Sequence, residues 1–234
     1  MNCIKSYDVQ LQSKLNHLRL HPAYLPHIGL KYNEARAKVL IIAESHYSPK
    51  RHNNKFIVID WYKNPKSIYE IIGNDKGWFN TREVVKTYQN SKSLEKGHGI
   101  FRNLEIAYHE IYPEIKLFDE CVYLNYFQRP SEVEGETINI HAIDSKVALE
   151  NLMVIHEVLK PNKIIFVSSK AFNNYSSNIT KEQKNLLPYV GSVPHPSSSS
   201  WWNRKSKKYE LKGEAVTGKQ KFQRIMMPKS IFKN

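Results

Sequence analysis

Two cysteines in 234 residues, Cys3 and Cys121, can build neither a disulfide framework nor a four-cysteine metal site, and they point to a reducing, cytoplasmic setting. No run of about 18 apolar residues occurs, and the first residues lack the apolar stretch of a signal peptide. A chain that neither spans a membrane nor enters the secretory route is therefore expected. Also missing are a Walker phosphate loop, a G-x-G-x-x-G turn, a G-x-S-x-G nucleophile elbow and an H-E-x-x-H helix, which removes the commonest nucleotide-binding and hydrolase classes. The 10 His pair with neither Cys nor carboxylates at metal-ligand spacing, so no metal or cofactor is expected. No Pro/Gly/Ser-rich linker separates two halves, no repeat is found, and low complexity is confined to the serines at 197–200. One domain over 1–234 is the simplest reading.

Charge of one sign is abundant. The 35 Lys and Arg outnumber the 22 Asp and Glu, for a net +13, which favours a polyanionic partner over a neutral one. Hydrophobic residues reach 41%, with 14 Tyr, 9 Phe and 4 Trp, enough for a sizeable core with aromatics left for the surface.

The continuous apolar run at 39–43 suits a strand covered on both faces; 121–125, with Asn125 at its polar end, and 163–167 read as further buried strands, and 189–193 as a fourth. Between them, apolar residues recur at helical spacing: Phe101, Leu104, Tyr108 and Ile111 on one segment, and Ala148, Leu152, Ile155 and Leu159 on another that Asp144 would N-cap. Further helices are expected at 8–19, 81–88, 170–175 and 181–187, with an irregular insertion over about 48–98 and a basic C-terminal segment over about 203–234. Strands alternating with helices predict right-handed crossovers, hence a three-layer α/β/α fold around a mainly parallel four-stranded sheet. Ligands of such sheets bind beyond the carboxyl ends of the strands. Polar groups directly follow strand runs at 44–47, 125–129 and 194–200.

In chain order these strand ends read Val39-Leu-Ile-Ile-Ala-Glu44-Ser45-His46-Tyr47, Tyr123-Leu124-Asn125, Pro161-Asn162-Lys163-Ile-Ile-Phe-Val167 and Val193-Pro194-His195-Pro196-Ser197. Over about residues 35–205 the chain resembles the uracil-DNA glycosylase superfamily, whose members open with a G-[QE]-[DA]-P-[YG] type loop, carry an Asn after a middle strand and close with an H-P-S loop. The resemblance implies an enzyme that flips a base out of the stack and hydrolyses its N-glycosidic bond, without a cofactor, on a damaged or modified base of DNA, single-stranded or modified DNA included. It implies that His195 stabilises the departing base anion, that Asn125 reads the base edge, and that Glu44 stands at the sugar or the water. Ser45, His46 and Tyr47 would line the base pocket and Phe101 would stack on the base. Ser197 and Ser198 would meet phosphate, Trp201 or Trp202 would wedge into the helix, and Arg204 and Lys205 would bind phosphates, all in a monomer.

Packing roles compete with each of these. His195 between two prolines can shape a turn, Asn125 can cap the next segment, the spacing of Phe101 suits a core, and the tryptophans can anchor the C-terminal segment. Three departures stand out: Ser45 occupies the place of the family's Asp, Ala43 that of its Gly and His46 that of its Pro. Branches of the family with an iron–sulfur cluster need four Cys, so this chain is not one of them. The rival reading is a catalytically silent protein of the same fold that binds nucleic acid or a modified nucleotide. A third is a basic α/β protein with an unrelated small-molecule site.

Overall fold

The computed structural model describes residues 3–47, 58–63, 79–91, 98–211 and 213–227. Most of the insertion expected at 48–98, Trp78 included, lies outside the described residues. In chain order the elements are α1 (Asp8–Lys14), α2 (Asn16–Leu20), β1 (His27–Ile28), β2 (Val39–Ala43), α3 (Val58–Lys63), α4 (Thr81–Asn90), α5 (Gly99–His109), α6 (Leu117–Glu120), β3 (Cys121–Asn125), α7 (Ala142–Leu159), β4 (Lys163–Phe166), α8 (Ser169–Asn178), α9 (Lys181–Leu186), β5 (Tyr189–Ser192), α10 (Ser199–Trp202), β6 (Ser206–Leu211), β7 (Glu214–Val216) and α11 (Gly218–Met226).

The main sheet has the order β1-β3-β2-β4-β5. The four expected strands run parallel, and β1 adds an antiparallel edge, with His27 opposite Tyr123. Side chains alternate strictly across the sheet. Leu40, Ile42, Val122, Leu124, Ile164 and Phe166 enter one core with Leu149, Leu152, Ile155 of α7 and Tyr175 of α8. Val39, Ile41, Cys121, Tyr123, Ile165 and Val167 enter the other, with Phe101 and Leu104 of α5 and Phe222 of α11. Each such fully buried Ile, Leu or Val contributes about 1.5–3 kcal/mol, so neither face can be stripped of its helices. The expected three layers are present, on a five-stranded sheet instead of a four-stranded one.

The local departures have simple causes. The first helix breaks at Leu15, whose extended backbone separates α1 from α2 and whose side chain is buried. Residue 144 is not the N-cap of α7: His141 takes that place, and the Asp144 carboxylate, three residues on, accepts the His141 N–H at 2.8 Å. Asp144 is also fully buried against Arg129, which gives it two hydrogen bonds of 2.8 and 3.0 Å. The C-terminal segment is not a featureless tail, because β6 and β7 form an antiparallel hairpin that leads into α11. A capping box from Thr217 to Gln220 starts that helix, and Lys163 ends it by donating to the carbonyls of Ile225 and Met227.

Candidate functional site

The strand order places a topological switch point between β2 and β4, because the chain passes from β2 to β3 on one side and returns to β4 on the other. Four polar residues stand at the carboxyl ends of the parallel strands: Glu44 after β2, Asn125 ending β3, Ser168 after β4 and His195 after β5. The loops do not splay apart there. Tyr126, Phe127 and Ser131 donate their N–H groups to the carbonyls of Ala43, Glu44 and His46 at 3.1, 2.9 and 2.8 Å, so the first two loops stay zipped. Tyr47 and Ser131 form a parallel bridge at their far end.

Glu44 is held from both sides of the switch point. The Thr137 hydroxyl and the Ile138 N–H donate to one carboxylate oxygen, at 2.5 and 3.3 Å, and the Ser168 hydroxyl donates to the other at 2.9 Å. Ser168 is buried, and its oxygen also accepts the Ala171 N–H at 3.2 Å as the N-cap of α8. The segment carrying Thr137 and Ile138 is pinned in turn, because Lys170 donates to the Ile138 carbonyl and Arg129 to that of Asn139.

The His195 loop is built on close backbone packing. A Cβ at Gly218 would lie 2.2 Å from Cγ of Pro194, so α11 approaches the loop as only glycine permits, and Gly99 of α5 lies close to the Ser197 hydroxyl. Asn103 of α5 donates to the Pro196 carbonyl at 2.9 Å. The Ser197 N–H donates to Nδ1 of His195 at 3.2 Å, which leaves the proton of the neutral ring on Nε2. The Ser198 N–H closes the turn on the His195 carbonyl at 2.9 Å. His195 keeps an exposed edge, yet enough protein surrounds the ring for desolvation to lower its pKa below 6.5, while the charge of Glu44 pulls it back up. The carboxylate of Glu44 is thus near enough for its charge to act on the imidazole.

Asn125 is 5% exposed, and its side chain has no hydrogen-bond partner among the described residues. Its backbone carbonyl accepts the Gln128 amide at 2.6 Å, fixing the residue while its own amide stays free. The Ser45 hydroxyl is likewise buried without a partner among the described residues. Tyr47 is 47% exposed, with its pKa raised by burial of part of the ring and then by Glu44, which places the phenol within the electrostatic reach of that carboxylate.

The structure does not bring every expected residue to this edge. His46 turns into the interior, where Nε2 meets the Thr81 hydroxyl at 3.1 Å and the ring packs edge-on against Tyr24, and desolvation lowers its pKa to about 3. Phe101 is a core residue, stacked on Tyr88 at 5.5 Å and packed on Phe118 and Tyr123. Trp201 is fully buried against Phe222 and anchors α10, so it cannot serve as a wedge without leaving the core. Trp202 is the exposed tryptophan, with the Lys219 ammonium 5.2 Å from its ring centroid, and Arg204 and Lys205 beside it are exposed as well.

Thr137 and Ser168 escaped the reading of the sequence. Ser168 follows an apolar run as the other strand-end residues do, so the rule that located Glu44 and Asn125 reaches it too. Thr137 carries no local signal. A cleft of about 370 Å³ lies along β5, lined by Ser169, Phe172, Tyr189, Ser192 and Lys221, and takes in none of Glu44, Asn125 and His195. Among the described residues no group of three or more His, Cys, Asp or Glu could hold a metal ion. No family model matches the chain and no curated protein matches it, so the geometry of the strand-end residues carries the functional reading.

Proposed function

We propose that this chain is a DNA glycosylase that hydrolyses the N-glycosidic bond of an extruded, uracil-like damaged or modified base. The reading rests on its resemblance to the uracil-DNA glycosylase superfamily. The observation that carries it is the gathering of Glu44, Asn125 and His195 at the carboxyl ends of the parallel strands, with Nδ1 of the imidazole already committed to the Ser197 N–H. In the reaction the C1′–N bond breaks heterolytically: its electron pair leaves with the base, the sugar carries the cation, and water adds to C1′ and loses a proton. A neutral His195 donates from Nε2 to the oxygen on which the base anion develops. Desolvation of the ring favours that neutral form at physiological pH. The free amide of Asn125 supplies a donor and an acceptor for a base edge. Glu44 faces the sugar cation, and its three described donors leave about one of the roughly four acceptor positions of a carboxylate for water.

DNA reaches the site over the exposed Trp202, Arg204 and Lys205, the aromatic stacking on bases and the cations meeting phosphates. Oligonucleotides carrying uracil, hypoxanthine or modified pyrimidines, incubated with the protein and then treated with alkali, test the proposal. Strand cleavage that disappears in His195→Ala supports it; no cleavage across the panel overturns it.

One observation favours a second reading, a silent binder of nucleic acid. Ser45 stands where the family has a carboxylate, and its hydroxyl is sealed without a partner among the described residues. Tight, salt-sensitive DNA binding with no abasic product, unchanged in Glu44→Gln, would select this reading.

A further inference from the structure

We infer that Ser168 and Thr137 are positioning residues that fix the direction of the Glu44 carboxylate at the strand ends; the inference rests on the glycosylase reading of the site. A carboxylate on a loop rotates about two side-chain bonds, and with a single donor it would sweep a cone instead of pointing at one place. Here each oxygen has its own hydroxyl donor, and the donors come from opposite directions in the chain. Thr137 belongs to the loop after β3, and Ser168 to the turn between β4 and α8.

Ser168 is the more constrained of the two. A serine hydroxyl has one proton, and its oxygen here already accepts the Ala171 N–H, so that proton is free to go to Glu44. At 3% exposure the hydroxyl has almost no contact with water to compete for that proton. The side chain that starts α8 is thereby the one that aims Glu44, which ties the carboxylate to the rigid sheet and helix instead of to its own loop. Thr137 lacks such a double role, but its loop is anchored by the fully buried Arg129, which donates to the Asn139 carbonyl at 2.6 Å and to Asp144. The carboxylate is therefore located by two independent supports. The geometry predicts that removing either hydroxyl loosens Glu44 without touching a substrate-binding group.

The test compares Ser168→Ala, Ser168→Thr and Thr137→Val with the full-length protein in two measurements. The first is single-turnover cleavage of a uracil-containing oligonucleotide. Ser168→Ala and Thr137→Val should each slow the chemical step on the order of 10- to 100-fold with KM little changed, and Ser168→Thr, which keeps the hydroxyl, should recover most of the rate. The second is the NMR titration of the His195 ring. Its midpoint should fall in Glu44→Gln and move toward that lower value in Ser168→Ala, which loss of a helix cap alone would not produce. Unchanged cleavage and an unchanged His195 midpoint in Ser168→Ala and Thr137→Val would overturn the positioning role. If the wild-type protein cleaves nothing while the midpoint still moves, the positioning role stands and the glycosylase reading falls.

Discussion

His46 and His195 are each the third residue past a strand of one parallel sheet, and they end in opposite surroundings. His46 is sealed beneath the loop it belongs to, bonded to Thr81 and packed on Tyr24, and burial alone depresses its pKa. His195 stands at an exposed position, with one nitrogen fixed by the Ser197 N–H, the other without a partner among the described residues, and the charge of Glu44 near enough to raise its pKa. Desolvation lowers the pKa of both rings, so a lowered pKa alone does not mark a site. The difference lies in an open donor and a nearby charge, and it sorts the rest of the molecule too. His17 and His21 join His46 on the sealed side: their rings lie 4.8 Å apart, and His21 stacks on Trp61 at 4.4 Å. Arg129 and Asp144 form the polar half of the same buried support.

The contrast breaks most severely if the sealed support is cut. Arg129→Leu leaves Asp144 charged and unpaired in the interior and should cost about 3–5 kcal/mol in denaturant unfolding, because a buried ion is expensive to strand. Next, His195→Ala should slow base release on the order of 10²- to 10³-fold, as loss of a donor to a developing anion does, while shifting unfolding by less than about 0.5 kcal/mol at this exposed position. His46→Ala should reverse that pattern and lower stability while affecting chemistry only through folding.

The pH dependence sharpens the same comparison. His21 and His46 ordinarily titrate near 6.5, and burial lowers them to about 4 and about 3. Below 6.5 the unfolded chain takes up their protons while the folded one does not, so stability is complete above 6.5 and falls as pH drops toward 4 and 3. Chemical denaturation across that window should show the loss, and a combined His21→Phe and His46→Gln variant should flatten it. The smallest effect separates the two tryptophans. Trp202→Ala should weaken binding of single-stranded DNA by about 1–3 kcal/mol and leave unfolding unchanged, whereas Trp201→Ala should destabilise the fold.

The same distinction explains what could be read from the sequence. The strands β2, β3 and β4 were legible because a strand buried on both faces reads as a mainly apolar run, and β2 and β3 end where that pattern ends, whereas β5 is an edge strand with Tyr189 exposed. The antiparallel edge β1 was not legible, since two residues, His27 and Ile28, leave no period to detect. The β6–β7 hairpin begins in a basic stretch, where charge hides the alternation of a strand. Glu44, Asn125 and His195 were picked out as candidates by following apolar runs, and the structure does place them at strand ends. The same reasoning put His46 in the base pocket and Trp201 on the surface, because chain position does not say which way a side chain turns. The roles of Thr137 and Ser168 depend on tertiary contact with Glu44, which no local pattern encodes.

The central proposal is that Asn125 and His195 hold an extruded base in front of Glu44. A crystal structure with a single-stranded oligonucleotide bearing a non-hydrolysable deoxyuridine analogue tests this most directly. The account predicts the base extruded between the strand ends, its edge on the Asn125 amide and its oxygen on Nε2 of His195, with the sugar facing Glu44. A base lodged elsewhere, or an imidazole at 195 turned away from it, would contradict the account.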